Sequence, residues 1–208
     1  MRYGRDPNSV RLIAVSKTQP AAAIRTLAEL GQQDFGENYV QEALPKLDEL
    51  RDLSLTWHYV GQLQANKTRV VAEHFHWVHT LDRERIAVRL SEQRSPHAAP
   101  LNICIQVSLE DEPGKGGISK TELAALARRV LELPRLQLRG LMCIPPPRDG
   151  FEAQRQLFGE LADCAHKLRE RGIELDTLSM GMSGDLEAAV AAGATCVRIG
   201  TAIFGERR

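Results

Sequence analysis

Lys17 ends an apolar run, Ile13-Ala14-Val15-Ser16-Lys17-Thr18, and a lysine there is a candidate nucleophile. Burial or a nearby cation lowers a lysine's pKa and exposes the neutral amine that attacks an aldehyde. A solvent-facing lysine at a strand end is the alternative, and position alone leaves both readings open. Two further segments have the makings of an anion cup. Ser179-Met180-Gly181-Met182-Ser183-Gly184 runs into a helical stretch, where glycines admit a ligand close to the backbone and a helix start offers unpaired N–H groups. Gly200-Thr201 is a second small-residue turn carrying a hydroxyl. Each alone reads as a turn or cap. Their joint position, after the seventh and eighth strand-like runs, points to phosphate. Asp185 and Glu187 argue against it unless their side chains turn away.

Arg198 lies in Thr195-Cys196-Val197-Arg198-Ile199-Gly200. Val197 and Ile199 suit a face packed under helices, so Arg198 faces the other way, into an interior where an unpaired charge is costly. A structural ion pair and a ligand contact are both consistent with that. Asn38, in Gly36-Glu37-Asn38-Tyr39, caps the following helix or touches a ligand, and the cap is the simpler reading. His74, His76 and His79 invite a metal, but no carboxylate or cysteine completes a ligand set in that segment. Lys115 sits in Pro113-Gly114-Lys115-Gly116-Gly117, a surface loop or a lid, without the spacing of a P-loop. No G-x-S-x-G occurs, and nothing marks a Ser/His/Asp triad.

The elements that would position these residues alternate between two periods. Short apolar runs over 11–16, 34–37, 57–61, 76–80, 101–108, 136–144, 177–180 and 196–200 read as strands. Segments of helical period lie between them, over 21–30, 40–51, 67–73, 83–93, 120–132, 151–171 and 186–192. Gly31, Gly172 and Gly193 follow helices where a residue with positive φ is needed, and Ser119 and Ser183 precede helices as candidate N-caps. Eight such units predict parallel β/α pairing with right-handed crossovers, and the lack of a composition break favours a closed (β/α)₈ TIM-like barrel over an open sheet. In such barrels the site lies at the C-terminal ends of the strands, where Lys17, Asn38, Ser183, Arg198, Gly200 and Thr201 all fall.

Composition narrows the classes. The 208 residues fit one domain, over 1–208, with a substantial core. They are 43% hydrophobic and 26% charged, and 27 basic residues balance 27 acidic ones. No global field therefore favours nucleic acid or an anionic membrane. No apolar run is long enough to span a bilayer, and the first ten residues lack the apolar core of a secretory signal. Cys104, Cys143, Cys164 and Cys196 are widely spaced without C-x-x-C, and read as buried thiols in a reducing compartment, the cytosol.

The ordered segments resemble the pyridoxal phosphate homeostasis protein family, the YggS/PROSC type. The likeness runs through Ala14-Val15-Ser16-Lys17-Thr18, Phe35-Gly36-Glu37-Asn38-Tyr39-Val40-Gln41-Glu42 and Trp57-His58-Tyr59-Val60-Gly61. It continues through Leu63-Gln64-Ala65-Asn66-Lys67, Leu138-Arg139-Gly140-Leu141-Met142, Leu178-Ser179-Met180-Gly181-Met182-Ser183 and Val197-Arg198-Ile199-Gly200-Thr201-Ala202-Ile203-Phe204-Gly205. The resemblance implies a barrel related to the alanine racemase N-terminal domain, with pyridoxal 5′-phosphate (PLP) held as a Schiff base on Lys17. It implies phosphate at Ser183 and Gly200-Thr201, Arg198 near the pyridine nitrogen, and Asn38 and Met142 lining the pocket. It also implies a cytosolic monomer that stores or delivers the cofactor, with PLP-dependent apo-enzymes as recipients.

Two departures from that family stand out. The usual helix before the first strand is largely missing, which implies a start upstream or a thinner wall between strands eight and one. Gln19 stands where relatives often carry a second lysine. The chain stops just after its eighth strand, without the β-domain that supplies a racemase's second acid/base. A PLP-binding protein without robust catalysis is thus the expectation, with a weak amino-acid racemase as the alternative. A barrel enzyme acting on a phosphorylated metabolite, with Lys17 as a substrate Schiff base, is a third reading.

Overall fold

The structure, a computed structural model, describes residues 2–110 and 116–205. Lys115 and its loop lie outside them. Eight strands form a closed parallel barrel in sequence order: β1 (Arg11–Val15), β2 (Asp34–Glu37), β3 (Thr56–Tyr59), β4 (Trp77–Leu81), β5 (Leu101–Gln106), β6 (Leu136–Met142), β7 (Thr177–Ser179) and β8 (Cys196–Ile199). Closure is made by β8 on β1, from Arg11 opposite Cys196 to Ala14 opposite Ile199. The outer helices are α1 (Ala21–Glu29), α2 (Val40–Glu49), α3 (Thr68–His74), α4 (Glu84–Gln93), α5 (Leu123–Glu132), α6 (Phe151–Arg169), α7 (Leu186–Ala191) and α8 (Thr201–Phe204).

The helices bury the faces their spacing dictates. In α5 the buried residues are Leu123, Leu126, Ala127 and Val130, the i, i+3, i+4, i+7 stripe of an amphipathic helix. In α6 they are Leu157, Phe158, Leu161, Cys164, Ala165 and Leu168. These stripes pack on outward strand residues such as Phe35, Val78, Ile103, Leu141 and Val197, one continuous core around the barrel. Each fully buried large aliphatic side chain there contributes about 1.5–3 kcal/mol. Gly31, Gly172 and Gly193 take positive φ after α1, α6 and α7.

Several strands end one or two residues short of the span their apolar runs predict. Lys17, Val60, Ile144 and Gly200 lie beyond the ends of their strands, and they line the mouth of the barrel instead. The helix expected from residue 120 begins at Leu123. Ser119 Oγ accepts the Glu122 N–H (3.3 Å) and donates to Glu122 Oε2 (2.5 Å), which folds the preceding residues into a turn. Ser183 is not the cap of α7 either; Asp185 occupies that position.

Cover between β8 and β1 is thin. An eighth helix is present but has only four residues, and Leu12 on β1 stays 39% exposed. Two 3-10 turns, Arg2–Gly4 and Pro7–Ser9, precede β1. Arg5 ties this segment down by donating to the carbonyls of Ala194 (2.9 Å) and Val190 (3.3 Å). All four cysteines are buried and unpaired, and burial pushes the Cys143 and Cys196 thiols up to about 12.

Candidate functional site

A cavity of about 350 Å³ opens at the C-terminal ends of the strands. It brings together Lys17, Asn38, Ser183, Arg198, Gly200 and Thr201, six of the seven residues singled out from sequence. Val15, Val60, Ile144 and Met182 supply apolar walls. Met142 is the exception: it packs in a separate buried cluster with Trp77 and Cys104, while Ile144, two residues further on, lines the cavity.

Alternation along β1 sets Lys17 in place. Val15 and Lys17 line the cavity, whereas Ala14 belongs to the outer core and Ser16 turns toward α2. There Ser16 Oγ donates to Glu37 Oε1 (2.6 Å), and Lys46 Nζ donates to the same oxygen and to the Ser16 carbonyl, both at 2.8 Å. Burial raises the Glu37 carboxyl, and its bonds to Lys46 and Ser16 oppose that rise. Thr18 follows with φ 64°, a left-handed conformation that is costly for a β-branched residue, and its N–H donates to Glu42 Oε2 at 3.1 Å. Lys17 thus sits between a pinned strand end and a strained turn.

Asn38 follows β2, and its Oδ1 is buried without a partner in the protein. A Cβ at Gly61 would collide with the Asn38 carbonyl, so only glycine lets the end of β3 approach so closely. Opposite, the two small-residue turns interlock: Ser183 Oγ accepts the Ala202 N–H at 3.2 Å. This leaves the Ser183 hydroxyl proton available to an anion. Both acids near this cup are engaged elsewhere. Asp185 Oδ1 accepts the Met182 N–H (2.6 Å), and Glu187 Oε2 accepts the Tyr3 hydroxyl (3.3 Å).

Arg198 is 5% exposed and forms part of the cavity wall. One terminal nitrogen donates to Ser179 Oγ (2.8 Å), the other to the Cys143 carbonyl (2.9 Å). Ser179 in turn meets His79 Nδ1 (2.8 Å), His79 Nε2 meets His58 Nδ1 (3.0 Å), and His58 Nε2 meets Asp34 Oδ1 (2.8 Å). Burial lowers both histidines, His79 the more strongly, and the Arg198 charge acts on His79 in the same direction. His74, His76 and His79 have separate settings. His79 belongs to this chain, His76 Nδ1 accepts the Trp57 N–H, and His74 ends α3. Sequence reasoning missed the chain because Asp34, His58, His79 and Ser179 come from four strands. The one available signal was a polar residue at an inward position on each.

A larger depression, about 500 Å³, lies at the opposite end of the barrel. Its charged groups are already matched, Arg139 with Asp176 (2.5 Å) and Arg11 with Asp34 (3.9 Å), and both arginines lie over the Trp77 ring. The mouth brings the Lys17 side chain together with a guanidinium that has N–H groups beyond the two already bonded and with an orphaned amide oxygen on Asn38. That makes it the stronger candidate.

A closed eight-stranded β/α barrel with a lysine just past β1 and an arginine on β8 defines the class, and the family described as alanine racemase, N-terminal domain, matches residues 4–208. Among curated proteins, the chain is 56% identical over 204 residues to the pyridoxal phosphate homeostasis protein of Pseudomonas aeruginosa, covering 98% of this chain and 87% of that one. It is 52% identical over 209 residues to the protein of that name from Escherichia coli, covering 99% and 89%. The chain belongs to the alanine racemase N-terminal domain family, within its pyridoxal phosphate homeostasis branch. Among solved structures, PipY of Synechococcus elongatus with PLP bound superposes with a TM-score of 0.89 at 42% identity, covering 98% of this chain and 96% of that one. Alanine racemase of Corynebacterium glutamicum, at 17% identity, shares the fold alone, with a TM-score of 0.70 over 96% of this chain and 56% of that one.

Proposed function

We propose that this protein binds PLP in the barrel mouth, held through Lys17, and serves cofactor homeostasis rather than turnover. The observation that carries this reading is the meeting of Lys17, Arg198, Asn38 and the Ser183 and Gly200-Thr201 turns in one cavity of about 350 Å³. When bound, the cofactor would supply an aldehyde reactive toward a neutral amine, a phosphate and a ring nitrogen. The residues present fit that group. Lys17 Nζ is the amine. The Ser183 hydroxyl and the Gly200-Thr201 turn suit the phosphate. Arg198 would donate to a ring nitrogen without giving up a proton, because a guanidinium stays charged. The buried Asn38 Oδ1 still lacks a donor. The relatives named pyridoxal phosphate homeostasis protein, and PipY with its bound PLP, support the same reading.

The cavity's chemistry favours holding over turnover. Among the described lining residues Lys17 is the one side chain that exchanges a proton readily, since Asn38 and Arg198 do not and the Ser183 and Thr201 hydroxyls are very weak acids. Inverting an α-carbon needs proton delivery to both faces, and one lysine serves one face. The protein then acts as a monomer in the cytosol and passes PLP to apo-enzymes. Among the described residues no helix is long and apolar enough to cross a membrane.

The deciding experiment is visible absorbance of the purified protein with added PLP, beside Lys17→Ala. A band from covalently held cofactor, lost in the variant, is expected, as is withdrawal of the cofactor by a PLP-dependent apo-enzyme. A protein that takes up no PLP overturns the cofactor assignment. Sustained amino-acid inversion abolished by Lys17→Ala overturns the homeostatic role.

A further inference from the structure

Four hydrogen bonds cross the barrel interior and link Asp34 at one end to Arg198 at the other. Their direction follows from their ends. The Asp34 carboxylate only accepts, so His58 donates from Nε2. A neutral His58 must then accept at Nδ1, which makes His79 Nε2 the donor. A neutral His79 accepts at Nδ1 from the Ser179 hydroxyl, and Ser179 Oγ keeps its lone pairs for the guanidinium, which only donates. Each of the four bonds then has one donor and one acceptor. His58, His79 and Ser179 are each at most 1% exposed, and Trp77 packs against both imidazoles at ring-centre distances of 5.5 and 5.7 Å. The chain therefore has one polarity and little room to rearrange.

We propose that His58, His79 and Ser179 are positioning residues which carry the Asp34 carboxylate's influence through the barrel and fix the Arg198 guanidinium in one orientation at the cavity wall. The Cys143 carbonyl is the second anchor of Arg198. Together they leave the remaining N–H groups of a rigid fork for a ligand acceptor. A polar chain sealed in low dielectric is worth more than its pairwise parts, and cutting it at any point ends the link between Asp34 and Arg198. The consequence for cofactor affinity rests on the PLP reading above, whereas the chain's polarity is tested without it.

The test has two arms. In the first, histidine ¹⁵N NMR is recorded on the unmodified, cofactor-free protein at neutral pH. His58 and His79 are both expected neutral, with the proton on Nε2. An Nδ1–H tautomer or an imidazolium at either position overturns the proposal. In the second, PLP affinity is measured by absorbance titration for Asp34→Asn, Ser179→Ala and the double variant. Each single change should weaken binding by about five- to twentyfold, and the double no further, because one cut already severs Arg198 from Asp34. Additive losses, or none, overturn the link to Arg198. Wild-type protein that binds no PLP sinks the proposed function, while the NMR arm still decides whether the chain has the stated polarity.

Discussion

Lys46 Nζ and Glu37 Oε1 stand 2.8 Å apart behind the strand end that carries Lys17, with side-chain exposures of 10% and 0%. The pair joins α2 to β2, and through the Ser16 carbonyl it also holds the end of β1. Its two halves are not equivalent. Lys46→Met leaves a buried carboxyl with one partner fewer, and should cost about 3 kcal/mol. Glu37→Gln keeps an acceptor for Lys46 and Ser16, and should cost about 1 kcal/mol. Urea denaturation of the two variants checks the order, and a larger loss for Glu37→Gln would contradict it.

Thr18 holds φ 64° directly after Lys17. Glycine adopts that conformation without the Cβ clash. Thr18→Gly is therefore expected to stabilise the protein by about 1 kcal/mol, and to loosen the placement of Lys17 enough to slow PLP capture. Chemical denaturation reads the first effect and stopped-flow absorbance the second. A destabilised Thr18→Gly would mean that backbone entropy outweighs the strain.

Burial lowers His58, His76 and His79 below their usual value of 6.5. The groups facing His79 are His58, Arg198 and Arg11, all of which disfavour a further positive charge. Between the folded and unfolded values the unfolded chain binds more protons, so stability rises with pH there. The contribution is complete above about pH 6.5 and is lost as pH falls through the folded values, by up to about 1.4 kcal/mol per pH unit for each of the two fully buried histidines, His58 and His79. Urea unfolding between pH 5 and 7.5 should show this slope. His79→Gln should flatten it by about one proton, and an unchanged slope would rule out a neutral buried His79.

Met142 separates packing from binding. It is 0% exposed and packs with Trp77 and Cys104. Met142→Ala should cost about 2–5 kcal/mol through the cavity it leaves, with PLP affinity changed less than twofold. Ile144→Ala should do the reverse, since Ile144 is 42% exposed and lines the mouth. Thermal melts and PLP titrations of the two variants make the comparison. A tenfold affinity loss in Met142→Ala would return Met142 to the cofactor pocket.

The order of eight strands and the helices between them could be read from the sequence, because hydrophobic period is a local property: two for strands such as β8, 3.6 for helices such as α5. Most of the site residues were legible for the same reason. In a parallel barrel every strand's C-terminal end faces one mouth, so Lys17, Asn38, Ser183, Arg198, Gly200 and Thr201 converge once the order of elements is known. The sequence by itself thus determined the barrel, the lysine and the end at which they meet. It did not determine depth or partnership. Met142 and Ile144 lie two residues apart on one strand end, and only the packing of Trp77 and Cys104 decides which is interior and which is wall. Asp34, His58, His79 and Ser179 are separated by up to 145 positions, yet only barrel closure and its stagger bring them into one line. Buried polar groups take whichever partner three-dimensional geometry offers, and no spacing along the chain encodes that choice.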